Sequence, residues 1–340
     1  MIALPQPRGA VSELLLDALA GRVGPLPAAL EPGDEDDLQL ALYLCYELHY
    51  RGLPGVDERW EWEPALLALR AELERRFEAA LRRDVPVPEP AGAMDLALRA
   101  IEAADEAPSL SRHLERRGTL EQYLEFVVHR SAYQLKEADP HSWALPRLSG
   151  GPKAALVEIQ ADEYGGGDAH RIHAALFAGT MDALGLDSRY GAYVDHLPAV
   201  TLATVNLMSM FGLHRRLRGA IVGHLALFEM TSSIPNRRYG DGLRRLGFSG
   251  AATAFYDEHV VADAVHENVA AVDLAGGLAR AEPALEPDIL WGAAALMELE
   301  GRFARHMLGC WQAGRSSLRR PLEPRAAAAG AAASPAAPAP

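Results

Sequence analysis

Apolar residues recur at helical spacing along most of the 340-residue chain. Leucines three and four positions apart mark the segment PALLALRAELERRFEAALRR, and PDILWGAAALMELEGRFARHMLGCWQ has the same period. This spacing places apolar side chains on one face of an α-helix. No stretch shows the convincing alternation of apolar and polar residues that is typical of a half-buried strand. The sequence therefore predicts an all-α fold.

Proline-rich and low-complexity stretches suggest how the chain is divided. We expect an N-terminal helical segment over 1–107, with a helical hairpin over 34–83 and a Pro-rich linker over 84–92. A helical bundle is expected over 108–314. The remaining residues, 315–340, end in an Ala/Pro-rich stretch and are predicted to be disordered.

Charge and cysteine content narrow the class of protein. The net charge of −13 argues against binding to nucleic acid or to anionic membranes. No apolar run reaches the roughly 18 to 20 residues of a membrane span, and the N-terminal stretch lacks the basic start of a signal peptide. Cys45 and Cys310 are far apart, which excludes a disulfide scaffold or a cysteine zinc site. We expect a cytoplasmic protein.

The segment EHVVADAVHENVA carries the most informative polar pattern. It places His259, Asp263 and His266 at positions i, i+4 and i+7, which lie along one stripe of a helix. All three are metal-ligand types. Taken alone, the stripe is equally well explained as a solvated polar face, so the metal interpretation depends on partners from other helices.

Candidate partners occur on three other predicted helices. Glu229 lies in the apolar segment GHLALFEMTSS, where a lone carboxylate is costly to bury without a partner. Glu163, His170 and His173 follow each other in ADEYGGGDAHRIH, and Glu137 stands at a helix end. Inward carboxylates and histidines from several helices are typical of a paired-iron site in a bundle. The other histidines, among them His141 and His224, are expected to take no part in metal binding.

Three consecutive glycines, Gly165–Gly167, make the histidine on this helix ambiguous. We expect one long helix from near Lys153 through the glycines. On a straight helix Glu163 and His173 would be about 15 Å apart and rotated by roughly 80°, so His170 fits better. A kink at the glycines would instead favour His173. The glycines are explained equally well by close helix packing or by a distorted turn beside a metal.

Four segments, ADEYGGG, RIHAALF, FEMTSS and FYDEHVVADAVHE, together resemble the haem-oxygenase-like diiron oxidases and oxygenases, a family of iron-containing redox enzymes. The resemblance covers about 120–312. It implies a haem-oxygenase-like helical bundle with two iron ions held by side chains rather than by haem. The ligands it implies, with His170 and Glu137 as alternate or extra ligands, are Glu163, His173, Glu229, His259, Asp263 and His266.

The same resemblance implies an oxidoreductase with O2 as co-substrate. Its substrate would be a small amine, an amino acid or a lipid-like acid, oxidised by N-oxygenation or by cleavage of a carbon–carbon bond. We also expect an external electron donor and a homodimer. Two other functions stay open: a non-catalytic helical binding or scaffold protein, and a metal-independent hydrolase of this fold with a cysteine nucleophile.

Overall fold

The computed structural model of the chain describes residues 4–24, 26–27, 30–89 and 92–323, and for residues 263–265 it describes only the backbone. These residues form helices, turns and bends, and no strand occurs among them. The all-α fold expected from the helical periodicity is therefore confirmed.

The α-helices of the described residues range in length from 4 residues to 28. They are α1 (Ala10–Leu19), α2 (Glu35–Glu47), α3 (Pro64–Asp84), α4 (Met94–Ala103), α5 (Leu110–Arg117), α6 (Leu120–Gln134), α7 (Asp139–Ser142), α8 (Gly150–Glu163), α9 (His173–Ala183), α10 (Ala199–Leu213), α11 (Arg218–Arg245), α12 (Ala251–Asn268), α13 (Gly276–Ala281) and α14 (Glu286–Gln312). A π-helical stretch, Val269–Ala275, joins α12 to α13. Within this part of the chain, no helix has both the length and the apolar character needed to cross a membrane.

Helix α3 illustrates how the local sequence sets these elements. Pro64 occupies the first turn, where its missing N–H would have no helical partner, and Glu63 accepts a hydrogen bond from the N–H of Ala65. Leu66 and Leu73 lie on one stripe and are buried. Burial of these apolar side chains packs the helix against the rest of the molecule.

The helices of the N-terminal segment share one apolar core with the bundle. Val11 of α1, Leu40 of α2 and Leu69 of α3 belong to the same cluster of buried side chains as Leu202 of α10 and Leu290 of α14. Helix α2 packs directly on α10. The boundary expected near residue 107 is therefore not a break in the hydrophobic core.

The expectation of one long helix from Lys153 through the glycines is wrong. Helix α8 ends at Glu163, and Gly165, Gly166 and Gly167 have φ angles of 68°, 61° and 88°. These left-handed conformations are open to glycine and cannot continue a right-handed helix. A Cβ at Gly165 would lie 2.6 Å from the backbone carbonyl carbon of Arg171, so the chain folds back closely on itself here before α9 begins.

The first residues of the predicted disordered tail pack against the bundle. Ser317 donates its hydroxyl and its backbone N–H to one oxygen of Glu125, and Leu318 is buried. These contacts contradict disorder for residues 315–323. The rest of the predicted tail, residues 324–340, lies outside the described residues.

Candidate metal centre

Buried acidic and imidazole side chains from several parts of the chain converge inside the bundle. None of them is more than 6% exposed. They are Glu137 from the turn between α6 and α7, Glu163 at the end of α8, His173 at the start of α9, Glu229 of α11, and His259 and His266 of α12.

These side chains form two groups that share one member. Glu137, Glu163, His173 and His259 can each offer a ligand atom, and those atoms lie within 4.8 Å of one another. Ligand atoms of Glu163, Glu229 and His266 likewise lie within 4.8 Å of one another. The Glu163 carboxylate thus stands between two potential cation sites.

The break after Glu163 brings His173 back to the end of α8. Its Nδ1 atom lies 2.9 Å from Oε2 of Glu163, yet neither atom has a hydrogen-bond partner. Two ligands that bind one ion at right angles, each about 2.1 Å from it, are separated by about 3.0 Å. The contact has the spacing of two ligands on a common ion.

The two α12 histidines are oriented by hydrogen bonds on their outer nitrogens. Nδ1 of His259 donates to the carbonyl oxygen of Phe255 at 2.8 Å, and Nε2 of His266 donates to Asp162 at 2.9 Å. Their other nitrogens face the groups, since Nε2 of His259 is 3.7 Å from Glu137 and Nδ1 of His266 is 3.5 Å from Glu229. Metal-binding histidines are held in this way, with one N–H bonded to a carbonyl or carboxylate.

Several buried atoms of the groups are left without a hydrogen bond. They are Oε2 of Glu137, Oε2 of Glu163, Nδ1 of His173 and Nδ1 of His266. Buried polar atoms are normally paired, because an unpaired one costs free energy. A cation at each group would satisfy all of these atoms at once. Imidazole nitrogens combined with carboxylate oxygens suit iron, so the residues present fit that metal.

Convergence of these groups perturbs their protonation in the absence of a cation. Burial raises the pKa of Glu163 to about 7, with Glu229 adding to the rise and His259 opposing it. Burial and nearby His259 lower the pKa of His173 to about 4. Burial lowers the pKa of His266, but contacts with Glu229 and Asp162 outweigh this effect and raise it to about 9. A bound cation would favour the ionised carboxylates and the neutral imidazoles.

The structure separates the two candidate histidines of the broken helix. His170 is exposed in the loop before α9, where its backbone N–H donates to Asp168, and it belongs to neither group. His173 lies inside the first group. Glu137, considered only as an alternate or extra ligand, lies in that group as well. The Asp263 side chain is outside the described residues, so its role as a ligand stays a prediction.

A narrow cavity lies beside the two groups. Tyr133, Gln160, Phe228 and Ser232 line it together with several of the candidate ligands, and it has room for about one water molecule. Sequence reasoning did not identify Tyr133 or Gln160 as part of the site. Each stands one helical turn before a candidate ligand, Tyr133 before Glu137 and Gln160 before Glu163, and this spacing is the signal that could have revealed them.

Two other buried histidines lie close by without joining the groups. Nε2 of His141 is 3.1 Å from Nδ1 of His224, and both rings are fully buried. Burial lowers the pKa of His224 to about 3, so this imidazole is neutral. The described contacts pair the two rings with each other.

Comparison with known proteins agrees with this chemistry. A family model described as iron-containing redox enzyme matches residues 124–301, just over half of the chain. The matched stretch includes every candidate ligand from Glu137 to His266. No curated protein matches the chain. The chain therefore belongs to the haem-oxygenase-like family of iron-containing redox enzymes, and it is an iron-binding oxidoreductase.

Proposed function

We propose that the protein holds two iron ions and activates O2 to oxidise a small organic substrate. The observation that carries the proposal is the position of Glu163 in both ligand groups. A carboxylate has two oxygens and can bind one ion with each. Glu163 would thus be shared by the two ions of a paired-metal site.

The two groups divide the ligands between the ions. Glu137, Glu163, His173 and His259 would hold the first ion. The second would be held by Glu163, Glu229 and His266, and Asp263 on the same helix is the proposed further ligand. The three buried glutamates and Asp263 would together balance the four positive charges of two Fe(II) ions.

When bound, the iron pair would supply electrons that reduce O2. Residues of the chain itself form the walls of the cavity beside the iron site. Tyr133 and Phe228 form apolar walls of the cavity, and their rings meet edge to face at 5.7 Å. Burial and the neighbouring Glu137 raise the pKa of Tyr133 well above its usual value, so its hydroxyl keeps its proton. Exclusion of bulk water strengthens the electrostatic interactions inside the site.

The cavity beside the ligand groups has room for about one water molecule, which favours a substrate whose reacting group is small. We propose a small amine, an amino acid or a lipid-like acid as substrate, oxidised by N-oxygenation or by cleavage of a carbon–carbon bond. An external electron donor would supply the electrons that O2 reduction requires beyond those taken from the substrate. The protein would act in solution, as a homodimer, without nucleic acid or a membrane as partner.

Iron stoichiometry tests this proposal. After anaerobic addition of Fe(II) and removal of excess metal, elemental analysis should find about two irons per chain, as the number of ligands requires. Exposure to O2 should then produce a transient visible absorption and consume O2. A protein that keeps one tightly bound zinc and does not respond to Fe(II) would contradict the two-iron proposal.

The rival hydrolase function would need a reactive cysteine. Cys45 and Cys310 are both buried, and neither belongs to the ligand groups. Burial raises the pKa of the Cys45 thiol to about 12, which suppresses the thiolate that acts as nucleophile. A non-catalytic scaffold would have no use for the buried ligand set, and the iron analysis distinguishes it from the enzyme.

A further inference from the structure

The turn that presents Glu137 has a strained backbone. It connects the end of α6 at Gln134 to the start of α7 at Asp139. Ala138 has a φ of 74°, and it is the one residue other than glycine with a positive φ in the described part of the chain. A side chain with a Cβ atom adopts this conformation only when surrounding contacts enforce it. On the bundle side, Nε2 of Gln160 donates to the carbonyl oxygen of Ala138 at 2.9 Å.

A buried ion pair holds the other side of the turn. Lys136 is fully buried, and its ammonium group contacts a carboxylate oxygen of Glu47 in α2. The rings of Tyr43 and Tyr50 lie 5.5 Å and 4.2 Å from the same ammonium group. Lys136 and Lys153 are the only lysines among the 33 lysine and arginine residues of the sequence. The other basic positions of this kind are all arginine, so a lysine at residue 136 stands out.

Further contacts join the same part of the N-terminal segment to the turn. Arg51, just after α2, donates to the carbonyl oxygen of Leu135 at 2.9 Å. Tyr190 donates its hydroxyl to the second carboxylate oxygen of Glu47, and Arg51 stacks over the Tyr190 ring at 4.5 Å. Both oxygens of Glu47 are therefore paired, and these two contacts hold its carboxylate toward Lys136.

Lys136 and Glu137 are neighbours in the chain with opposite surroundings. The lysine is enclosed by residues of α2 and of the turn that follows it, whereas the glutamate reaches His259 in the metal centre at 3.7 Å. Anchoring residue 136 therefore orients residue 137. We propose that Glu47 and Lys136 are positioning residues for Glu137, so that α2 completes the metal centre from outside the matched residues 124–301. This inference rests on the proposed role of Glu137 as an iron ligand.

Stability alone does not account for such a pair. Well-packed apolar side chains in place of a buried ion pair often leave a fold as stable or make it more stable. What this ion pair adds is a directed contact that fixes the position of residue 136, and through the backbone the direction of the next residue, Glu137.

The variant Glu47→Gln tests the inference in the full-length protein. It keeps the shape of the side chain but leaves Lys136 without its counter-charge. Because Glu137 would then no longer be held toward the first group, we expect the first iron to bind about 10- to 100-fold more weakly, as when contacts that hold a metal ligand are lost. After removal of excess metal, about one iron per chain should remain. The Mössbauer spectrum of the iron that remains should show a single environment.

A matched control separates positioning from general destabilisation. Glu74 is also a buried carboxylate of the N-terminal segment and pairs with Arg70, Tyr46 and His214, but it has no contact with the turn. Glu74→Gln should lower the thermal midpoint as Glu47→Gln does and should retain both irons. The double variant Glu47→Met/Lys136→Met, which leaves no unpaired charge, should fold and still bind the first iron more weakly.

The inference would be overturned if Glu47→Gln and Glu47→Met/Lys136→Met both bound two irons with an unchanged Mössbauer spectrum. So would equal iron loss in Glu47→Gln and Glu74→Gln. A wild-type protein that binds only one iron would instead contradict the two-iron proposal. In that case the inference is judged by whether Glu47→Gln, unlike Glu74→Gln, weakens that single iron.

Discussion

At the scale of single residues, Glu163 is the residue that the two candidate ligand groups share. Its carboxylate is close to His173 on one side and belongs with Glu229 and His266 on the other. Burial raises the pKa of Glu163 to about 7, because removal from water disfavours the ionised carboxylate. Substitutions at this position should therefore affect both metal sites.

We expect Glu163→Ala to lose both irons, whereas Glu229→Ala should keep about one, because Glu229 belongs only to the second group. Elemental analysis after anaerobic loading measures the difference. The circular dichroism of both apo proteins should remain that of a helical protein. If Glu163→Ala retained a full complement of iron, Glu163 would not bridge the two sites.

The two histidines of the broken helix have different expected roles. His173→Ala should lose the first iron, because its Nδ1 atom faces Glu163 inside the core. His170→Ala is the matched control, since His170 is exposed and outside both groups. Competition with a coloured Fe(II) chelator would rank the affinities. A larger loss in His170→Ala would contradict the assignment.

At the scale of elements, the close contact of α11 with α14 supports the position of Glu229. A Cβ at Gly223 of α11 would overlap the carbonyl oxygen of Ile289, and one at Gly292 of α14 would overlap that of Ala220. The absence of side chains lets the two helix backbones approach. Since α11 also packs on α12, this contact helps set the distance between Glu229 and His266.

Gly223→Ala should destabilise the protein by about 1–3 kcal/mol, because the added methyl group must push α11 away from α14. Gly309→Ala is the control on α14, because no atom outside its own helical turn lies within 4 Å of its Cβ position. That substitution should stabilise the helix by about 0.5–1 kcal/mol. Urea unfolding measures both changes. Equal stability of the two variants would show that the helices have room for the methyl group.

At the scale of the whole molecule, the N-terminal segment and the bundle depend on each other. Their apolar side chains form one core, and Glu47 of α2 reaches the turn that carries Glu137. A fragment that starts at residue 108 would expose core residues of α10 that α2 now covers.

Removal of residues 1–107 should therefore leave a chain without a cooperative thermal transition, because the exposed apolar surface is no longer buried. Differential scanning calorimetry and dye binding to exposed apolar surface provide the measurement. A fragment that unfolded cooperatively and bound two irons would show that the bundle is an independent domain.

Local patterns allowed part of this protein to be predicted from its sequence. The period of apolar residues predicted the all-α fold, because helical side-chain spacing is a local property. The same spacing placed His259 and His266 on one face of a helix, and both lie in the ligand groups. The segments that resemble iron-containing redox enzymes predicted the family that the comparison established.

Tertiary structure decided what local spacing does not contain. The resemblance implied His173, but its position beside Glu163 depends on the left-handed glycines, which end α8 where the apolar period suggested continuation. Glu137 lies in the first candidate group because its turn brings the carboxylate to 3.7 Å from His259 of α12. The pairing of Lys136 with Glu47 joins residues 89 positions apart. Such contacts arise from the packing of whole helices, and periodicity along one helix carries no information about which distant side chain will meet it.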